Sequence, residues 1–145
     1  MWIWLLLALI AGSSSAVQGV FNGQWNRSVG LPLTLLVNAG IVLLGAGILP
    51  LIYRGTFSSE NLAKLDWSIL IGGVCGLALI AFMAMSVPKI GVALAVALFV
   101  LGQAITALTL EHFGVFGQAV RKVDWPRMLG LLMLVGGVVL IQWRR

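Results

Sequence analysis

Long uninterrupted apolar runs are the feature that most constrains what this chain can fold into. Five of them approach the ~20 residues that a helix needs to cross the hydrocarbon core of a bilayer. They lie at residues 2–22, 31–53, 67–87, 90–110 and 128–143. Backbone groups inside a bilayer must be hydrogen-bonded within their own segment, and the strand alternation of a barrel is absent from the sequence. The sequence therefore predicts an all-α integral membrane protein, with five transmembrane helices in one domain over residues 1–145.

The composition excludes the soluble classes of protein. Of the 145 residues, 61% are hydrophobic and 9% are charged, whereas a soluble domain is about half apolar and about a quarter charged. A chain with so little polar surface would aggregate in water, which excludes a soluble enzyme, a nucleic-acid-binding module and a disordered chain. The net charge of +5 comes from Lys and Arg scattered at the ends of the runs. Such scatter does not indicate a nucleic-acid partner, and the expected surroundings are lipid.

The chain has few reactive side chains. The chain has one cysteine, Cys75, and one histidine, so neither an internal disulfide nor a metal cluster built from these ligands is expected. A glycine-rich phosphate loop and a pair of acidic residues are also missing from the sequence. We therefore expect no enzyme activity, no metal and no cofactor.

The first run has an alternative interpretation as a signal peptide. Ser14, Ser15 and Ala16 loosely resemble a small-residue cleavage site. However, the first eleven residues contain no Lys or Arg, whereas a signal peptide begins with a basic region. We expect this run to be a transmembrane helix.

The ends of the runs carry residues that are typical of membrane boundaries. Aromatic side chains that anchor helices at the interface are expected at Trp2, Trp4, Trp25, Tyr53, Trp67, Trp125 and Trp143. Pro88 is expected in a tight connection over residues 86–91, and Pro126 can start the fifth helix. Residues 111–127 are expected to form an interfacial loop or a short surface helix.

The basic residues are divided almost evenly between the two sides of the membrane. Five spans place the termini on opposite sides. One side then carries Arg54, Lys64, Arg121, Lys122 and Arg127, and the other carries Arg27, Lys89, Arg144 and Arg145. Such a small difference barely specifies an orientation. Either a partner or a few dominant charges fix the topology, or the chain inserts both ways and pairs with an inverted copy of itself.

Small residues recur at helical spacing in three runs, which favours close helix packing. In the first run they form a stripe with a spacing of four. The predicted helix-packing residues are Ser15, Gly19, Gly23, Gly72, Gly76, Ala93, Ala97 and Ala104.

Polar side chains inside the runs are the candidates for substrate binding. Amides within a membrane span are costly unless they are hydrogen-bonded, so they either line a cavity or bond between helices. Trp25 either stacks on a ligand or anchors the first helix at the interface. The candidate substrate-binding residues are Ser14, Gln18, Asn22, Trp25, Asn38 and Gln103.

Glu111 and His112 are adjacent at the exit of the fourth run. A carboxylate near a membrane cavity can exchange protons, and histidine titrates near neutrality, so both are candidates for proton coupling. The alternative is an interfacial pair in contact with water or lipid headgroups. The centre of each run is free of charged residues, so a cationic substrate would meet only amides, hydroxyls and aromatic faces.

Several motifs taken together resemble a known family. They are Pro88-x-x-Gly-Val-Ala, Gly102-Gln103, Glu111-His-Phe-Gly and Gln18 followed by Asn22-Gly23. With them the whole chain resembles the YdcZ-type inner-membrane exporters of bacteria, within the drug/metabolite transporter superfamily. The resemblance implies a small-molecule exporter of the inner (plasma) membrane, whose five-helix unit corresponds to half of a ten-helix relative. Two units would then assemble as a homodimer in antiparallel orientation.

The sequence lacks the residue that related transporters use for proton coupling. The related small multidrug resistance transporters use a glutamate in the first helix, whereas this chain has Gln18 and Asn22 there and no acid. Glu111 and His112 are then the remaining candidates for coupling. The main prediction is a transporter with alternating access at a cavity between two protomers. The alternative is a non-transporting membrane subunit, or a channel-like pore that requires a partner.

Overall fold

The computed structural model describes residues 2–53, 58, 61, 63 and 65–143. Over these residues the chain is helical and contains no strand, and five helices are long and apolar enough to cross a membrane. This confirms the predicted fold class. The helices are α1 (Trp2–Val29), α2 (Leu31–Ile52), α3 (Ser68–Ile90), α4 (Val92–Phe113) and α5 (Trp125–Trp143), with a short 3-10 turn at Val115–Gly117.

Helix α1 is longer than the apolar run that predicts it. It continues through residues 23–29, a polar stretch that was expected to follow the helix. Its 28 residues span about 42 Å at ~1.5 Å per residue, more than the ~30 Å hydrocarbon core. The break comes at Gly30, where φ is 84°, and Pro32 then lies in the first turn of α2. The helix therefore ends where the backbone turns, and not where the side chains become polar.

Pro88 lies inside the last turn of α3, so its expected place in a connecting loop was wrong. A proline within a helix removes the N–H that would bond to the carbonyl four residues earlier, here Ala84. Asn26 Nδ2 of α1 donates to that Ala84 oxygen at 3.0 Å. The side chain from α1 replaces the missing backbone donor, which lets α3 continue to Ile90.

The chain divides into two compact units, residues 1–89 and residues 90–145. In the first unit α1 packs against α2 and also against α3. The contact with α3 is close at two glycines. A Cβ atom added at Gly19 would lie 3.4 Å from Met83, and one added at Gly23 would lie 3.2 Å from Pro88. The small residues thus let the backbone of α1 approach α3.

In the second unit α4 packs against α5. Helix α4 ends at Gly114, where φ is 63° and an added Cβ would lie 2.6 Å from Val120 Cγ2. That turn therefore requires glycine. The following segment returns to the end of α4, because the Arg121 N–H donates to the Glu111 carbonyl oxygen at 2.9 Å. Helix α5 begins at Trp125, three residues before the apolar run that predicts it, with Pro126 in its first turn.

Candidate functional site

A pocket of about 310 Å³ lies between the end of α1 and the start of α2. Its size falls within the ~300–1,000 Å³ that is usual for small-molecule sites. We call it the amide pocket. Six apolar residues line it, namely Phe21, Trp25, Val29, Leu33, Val37 and Ile41, together with the polar Asn22, Thr34 and Asn38.

Helical spacing explains why these residues meet. On each helix they recur at intervals of three or four, which places them on one face. The turn at Gly30 brings α2 back alongside α1, so the two faces oppose each other. The pocket therefore extends from this turn to Ile41, at the middle of α2.

The polar centre of the pocket is a pair of side-chain amides. Asn38 Nδ2 donates to Asn22 Oδ1 at 2.8 Å, and Asn22 is only 7% exposed. Each amide has two donor and two acceptor sites, so one hydrogen bond leaves most of them free. Asn22 Nδ2 and Asn38 Oδ1 have no protein partner among the described residues. The pair bonds two helices together and still has atoms to offer a ligand.

These free amide atoms are accessible rather than sealed within the protein. In the described part of the chain, every fully buried side-chain nitrogen or oxygen has a hydrogen-bond partner. The unpaired Asn22 Nδ2 is therefore not fully buried, and its residue lines the pocket. The sequence left two roles open for Asn38, bonding to the first helix and lining a cavity, and the geometry of the pair includes both.

Thr34 belongs to the pocket, although the sequence did not single it out as a binding residue. It is 5% exposed, and its hydroxyl donates to the Gly30 carbonyl oxygen at 2.8 Å. That bond stabilises the start of α2 and leaves the hydroxyl oxygen as an acceptor on the pocket wall. Its position four residues before Asn38 is the sequence signal that could have identified it.

Trp25 lines the pocket and is 57% exposed. Trp125 and Trp143 are the first and last residues of α5, which suits interfacial anchors. Trp25 instead lies within α1, one turn before its end, and forms a wall beside the amide pair. This location is compatible with both ligand stacking and interfacial anchoring, so the stacking role stays a prediction.

The other three predicted binding residues do not reach the amide pocket. Ser14 and Gln18 line an open groove on α1, and Gln103 lines an open groove on α4. The described residues give neither glutamine a hydrogen-bond partner. Each groove is formed by one helix of this chain, so these amides face outward from the chain that carries them.

The predicted packing residues also divide into two groups. Gly19 and Gly23 contact α3, and Ser15 beside them is half-buried. By contrast, a Cβ atom added at Gly72 or Gly76 would meet no atom within 4 Å. On α4, Ala93 is exposed, whereas Ala97 and Ala104 are half-buried. Gly72 and Gly76 of α3 thus face open space.

Glu111 and His112 both hold the segment between α4 and α5. Glu111 Oε2 pairs with Arg127 Nη1 at 3.1 Å, and Arg127 Nε lies 3.7 Å from Asp124 Oδ1. His112 Nδ1 accepts the Val123 N–H at 3.2 Å, which requires that this nitrogen carry no proton. These contacts give both residues a structural role, and proton coupling stays a prediction.

Two further polar residues were missed by the sequence analysis. Asn26 replaces the donor that Pro88 lacks, and Arg27 Nη2 donates to the Pro88 carbonyl oxygen. A proline near the end of a membrane helix was the available signal, because it always leaves one carbonyl without its helical donor. The identity of the replacing side chain depends on which helix packs there, and the sequence alone does not give it.

Comparison with known families identifies the family of the chain. The family described as "Putative inner membrane exporter, YdcZ" matches residues 3–140, which covers nearly the whole chain and all five helices. Comparison with curated proteins and with solved structures found no match.

Proposed function

The chain belongs to the YdcZ family of inner-membrane exporters, and from that premise we propose that it exports small molecules by alternating access at a cavity between two copies. Its place in the inner membrane follows from the family and from five membrane-spanning helices. The observation that carries small-molecule binding is the amide pair of Asn22 and Asn38 beside Trp25, in a pocket of ligand size between two such helices of one copy. We propose that this pocket opens onto the cavity between the two copies.

The chemistry of that pocket suits reversible binding. Moving an amide out of water without a hydrogen-bond partner costs roughly 2–7 kcal/mol. The free atoms of the amide pair therefore gain from any ligand that supplies donors and acceptors. A largely apolar wall with a few convergent polar groups is the usual construction of a small-molecule site.

A second copy is proposed because two amide-bearing grooves are open. The groove with Ser14 and Gln18 and the groove with Gln103 each belong to a single helix of this chain. An amide that faces hydrocarbon is unfavourable, whereas an amide that faces another helix or an enclosed cavity can be satisfied. Contact with a second copy would cover these grooves and place their amides at the shared cavity.

Opposite orientation of the two copies is supported by the distribution of charge. The basic residues differ by one between the two sides, counting Arg54, Lys64, Arg144 and Arg145, which lie outside the described residues. Two inverted copies supply the opposed halves that many transporters encode in one chain. In such a pair the inward-open and outward-open states interchange when the copies exchange roles, so both have similar energy without substrate.

Release from proteoliposomes tests the proposed function. The purified chain is reconstituted into liposomes loaded with a low-molecular-mass extract of the producing cells, and the released compounds are identified by mass spectrometry. We expect at least one compound to leave faster than from protein-free liposomes, at a rate that saturates with its concentration. Release without saturation would indicate a pore, and no release would indicate a subunit that transports nothing by itself.

Matched variants connect release to the pocket. Asn38→Leu removes the amide pair and should slow release about tenfold, the equivalent of one hydrogen bond of ~1.4 kcal/mol. Thr109→Val is the control, since that hydroxyl bonds to the Ile105 carbonyl oxygen of its own helix at 2.8 Å. Gln18→Leu and Gln103→Leu should weaken binding and leave the dimer intact. Loss of the dimer without selective loss of binding would assign these glutamines to helix association instead.

A further inference from the structure

We infer that the amide pocket selects neutral, planar small molecules that carry a hydrogen-bonding group such as a carboxamide, and discriminates against charged ones. The inference rests on the proposed function, since it names the class of substrate that the pocket would take. It follows from three properties of the pocket, which are its lack of charge, its aromatic wall and the free atoms of its amide pair.

The pocket offers no counter-ion to a charged ligand. None of its nine lining residues is charged. Arg27, the nearest charged residue in sequence, directs its guanidinium to the Pro88 carbonyl oxygen of α3. An ion that leaves water for such a site loses its hydration without gaining an opposite charge. A neutral ligand avoids that penalty.

The aromatic wall favours a flat ligand. Phe21 and Trp25 are four residues apart on α1, so their rings lie one above the other on the same helix face. Both residues are more than half exposed and line the pocket, so they are accessible to a ligand. Aromatic rings gain most from offset or edge-on contact with another ring. The geometry points to a planar ring system as the apolar part of the ligand.

The amide pair favours a ligand that both donates and accepts hydrogen bonds. Asn22 Nδ2 is a free donor and Asn38 Oδ1 is a free acceptor. The other two amide atoms, Asn38 Nδ2 and Asn22 Oδ1, form the 2.8 Å hydrogen bond. A carboxamide carries an oxygen for the first and an N–H for the second. A carboxylate can only accept and an ammonium can only donate, so each would leave one amide atom unpaired.

The aromatic wall partly compensates a cationic ligand for the hydration that it loses. A cation over the Trp25 ring is attracted to the ring face, whereas an anion is repelled by it. This attraction is weaker than the cost of desolvating an unpaired ion. The expected order of affinity is therefore neutral first, cation second and anion third.

Three indole compounds of similar size test this order. Indole-3-acetamide is neutral, tryptamine is a cation and indole-3-acetate is an anion at neutral pH. Binding of each to the purified full chain in lipid nanodiscs is measured by isothermal titration calorimetry, with protein-free nanodiscs subtracted to remove partition into lipid. We expect indole-3-acetamide to bind at least tenfold more tightly than either charged compound.

Two variants at one position locate the binding. Asn38→Leu should weaken indole-3-acetamide binding about tenfold, and Thr109→Val should leave it unchanged. Asn38→Asp introduces a carboxylate and should reverse the preference in favour of tryptamine. Because Asn38→Leu also removes an interhelical hydrogen bond, the helical content and monodispersity of this variant are checked first. If it does not fold, the change of preference in Asn38→Asp tests whether the compounds bind at the amide pair.

The outcomes separate this inference from the function on which it rests. Equal binding of the three compounds, or tightest binding of a charged one, would overturn the neutral class and leave saturable release as evidence of export. Absence of binding by all three compounds, together with saturable release of another compound, would also overturn it. Absence of both binding and release would overturn the proposed function itself.

Discussion

Pro88 and Asn26 show how single residues join the helices of the first unit. The proline leaves the Ala84 carbonyl oxygen without a helical donor, and Asn26 Nδ2 occupies that place at 3.0 Å. Ala84 is fully buried, so water does not substitute for the missing donor. Gly23 makes the arrangement sterically possible, because any side chain there would press on the proline ring.

A double-mutant cycle tests this replacement. Asn26→Ala should lower the free energy of unfolding by about 1–3 kcal/mol, since a buried carbonyl loses its partner. Pro88→Ala restores the backbone N–H, so Asn26→Ala should be nearly neutral in that background. Unfolding of the detergent-solubilised protein in increasing SDS, followed by circular dichroism, gives the four free energies. Ser28→Ala is the control, because its hydroxyl bonds only within α1. An equal cost of Asn26→Ala in both backgrounds would show that Asn26 acts by another contact.

At the residue scale, sequence reasoning identifies Asn38 because it is the clearest polar residue of the second run. The structure places it in contact with Asn22 and on the pocket wall, and its role in binding stays a prediction. Asn26 and Thr34 were not selected, because their importance depends on a proline in another helix and on a backbone turn. Gln18 was a candidate binding residue together with Asn22, yet it lies in a separate groove on α1.

At the scale of whole helices, length and hydropathy identify the elements, and backbone geometry sets their ends. All five apolar runs are helices, as their lengths predict. The end of α1 at Val29 and the single-residue break at Gly91 follow from positive φ angles at glycine, which polarity does not reveal. Helix α4 has two different faces. One, with Ile105 and Leu108, meets α5 across a shallow pocket, and the other carries Gln103 in an open groove.

The position of Gln103 on the open face of α4 suggests how two copies meet. It is the twelfth of the 22 residues from Val92 to Phe113, close to the centre of the helix. When two identical helices cross in opposite directions at their centres, a central residue meets its own copy. Phe99 and Thr106, which share the groove, lie four residues before and three residues after Gln103, so Phe99 of one copy would lie close to Thr106 of the other.

Cross-linking of cysteines on α4 tests that arrangement. In a Cys75→Ala background, one chain carries Phe99→Cys and a co-expressed chain carries Thr106→Cys. We expect oxidation to produce mostly the mixed disulfide between the two chains. Leu108→Cys lies on the face towards α5 and should cross-link little. Predominant disulfides between identical Phe99→Cys chains would instead indicate parallel helices.

At the scale of the whole molecule, family and membrane class are readable from sequence, and assembly is not. Hydropathy and the combined motifs lead to the family that matches residues 3–140. The surfaces that would join two copies carry isolated amides and small residues, such as Gln103 and Gly76. Whether such residues bind a ligand, a lipid or another helix depends on what stands opposite them. A single copy does not show which of these lies there.

The central claim is that two copies in opposite orientations together form the exporter. Its most direct test is the side of the membrane that the carboxyl terminus faces, reported by tags after Arg145 that are active in only one compartment each. The tagged chains are expressed at low level, and the activity of each tag is divided by the amount of protein. We expect both orientations in comparable amounts. A single orientation would contradict pairing with an inverted copy of the same chain.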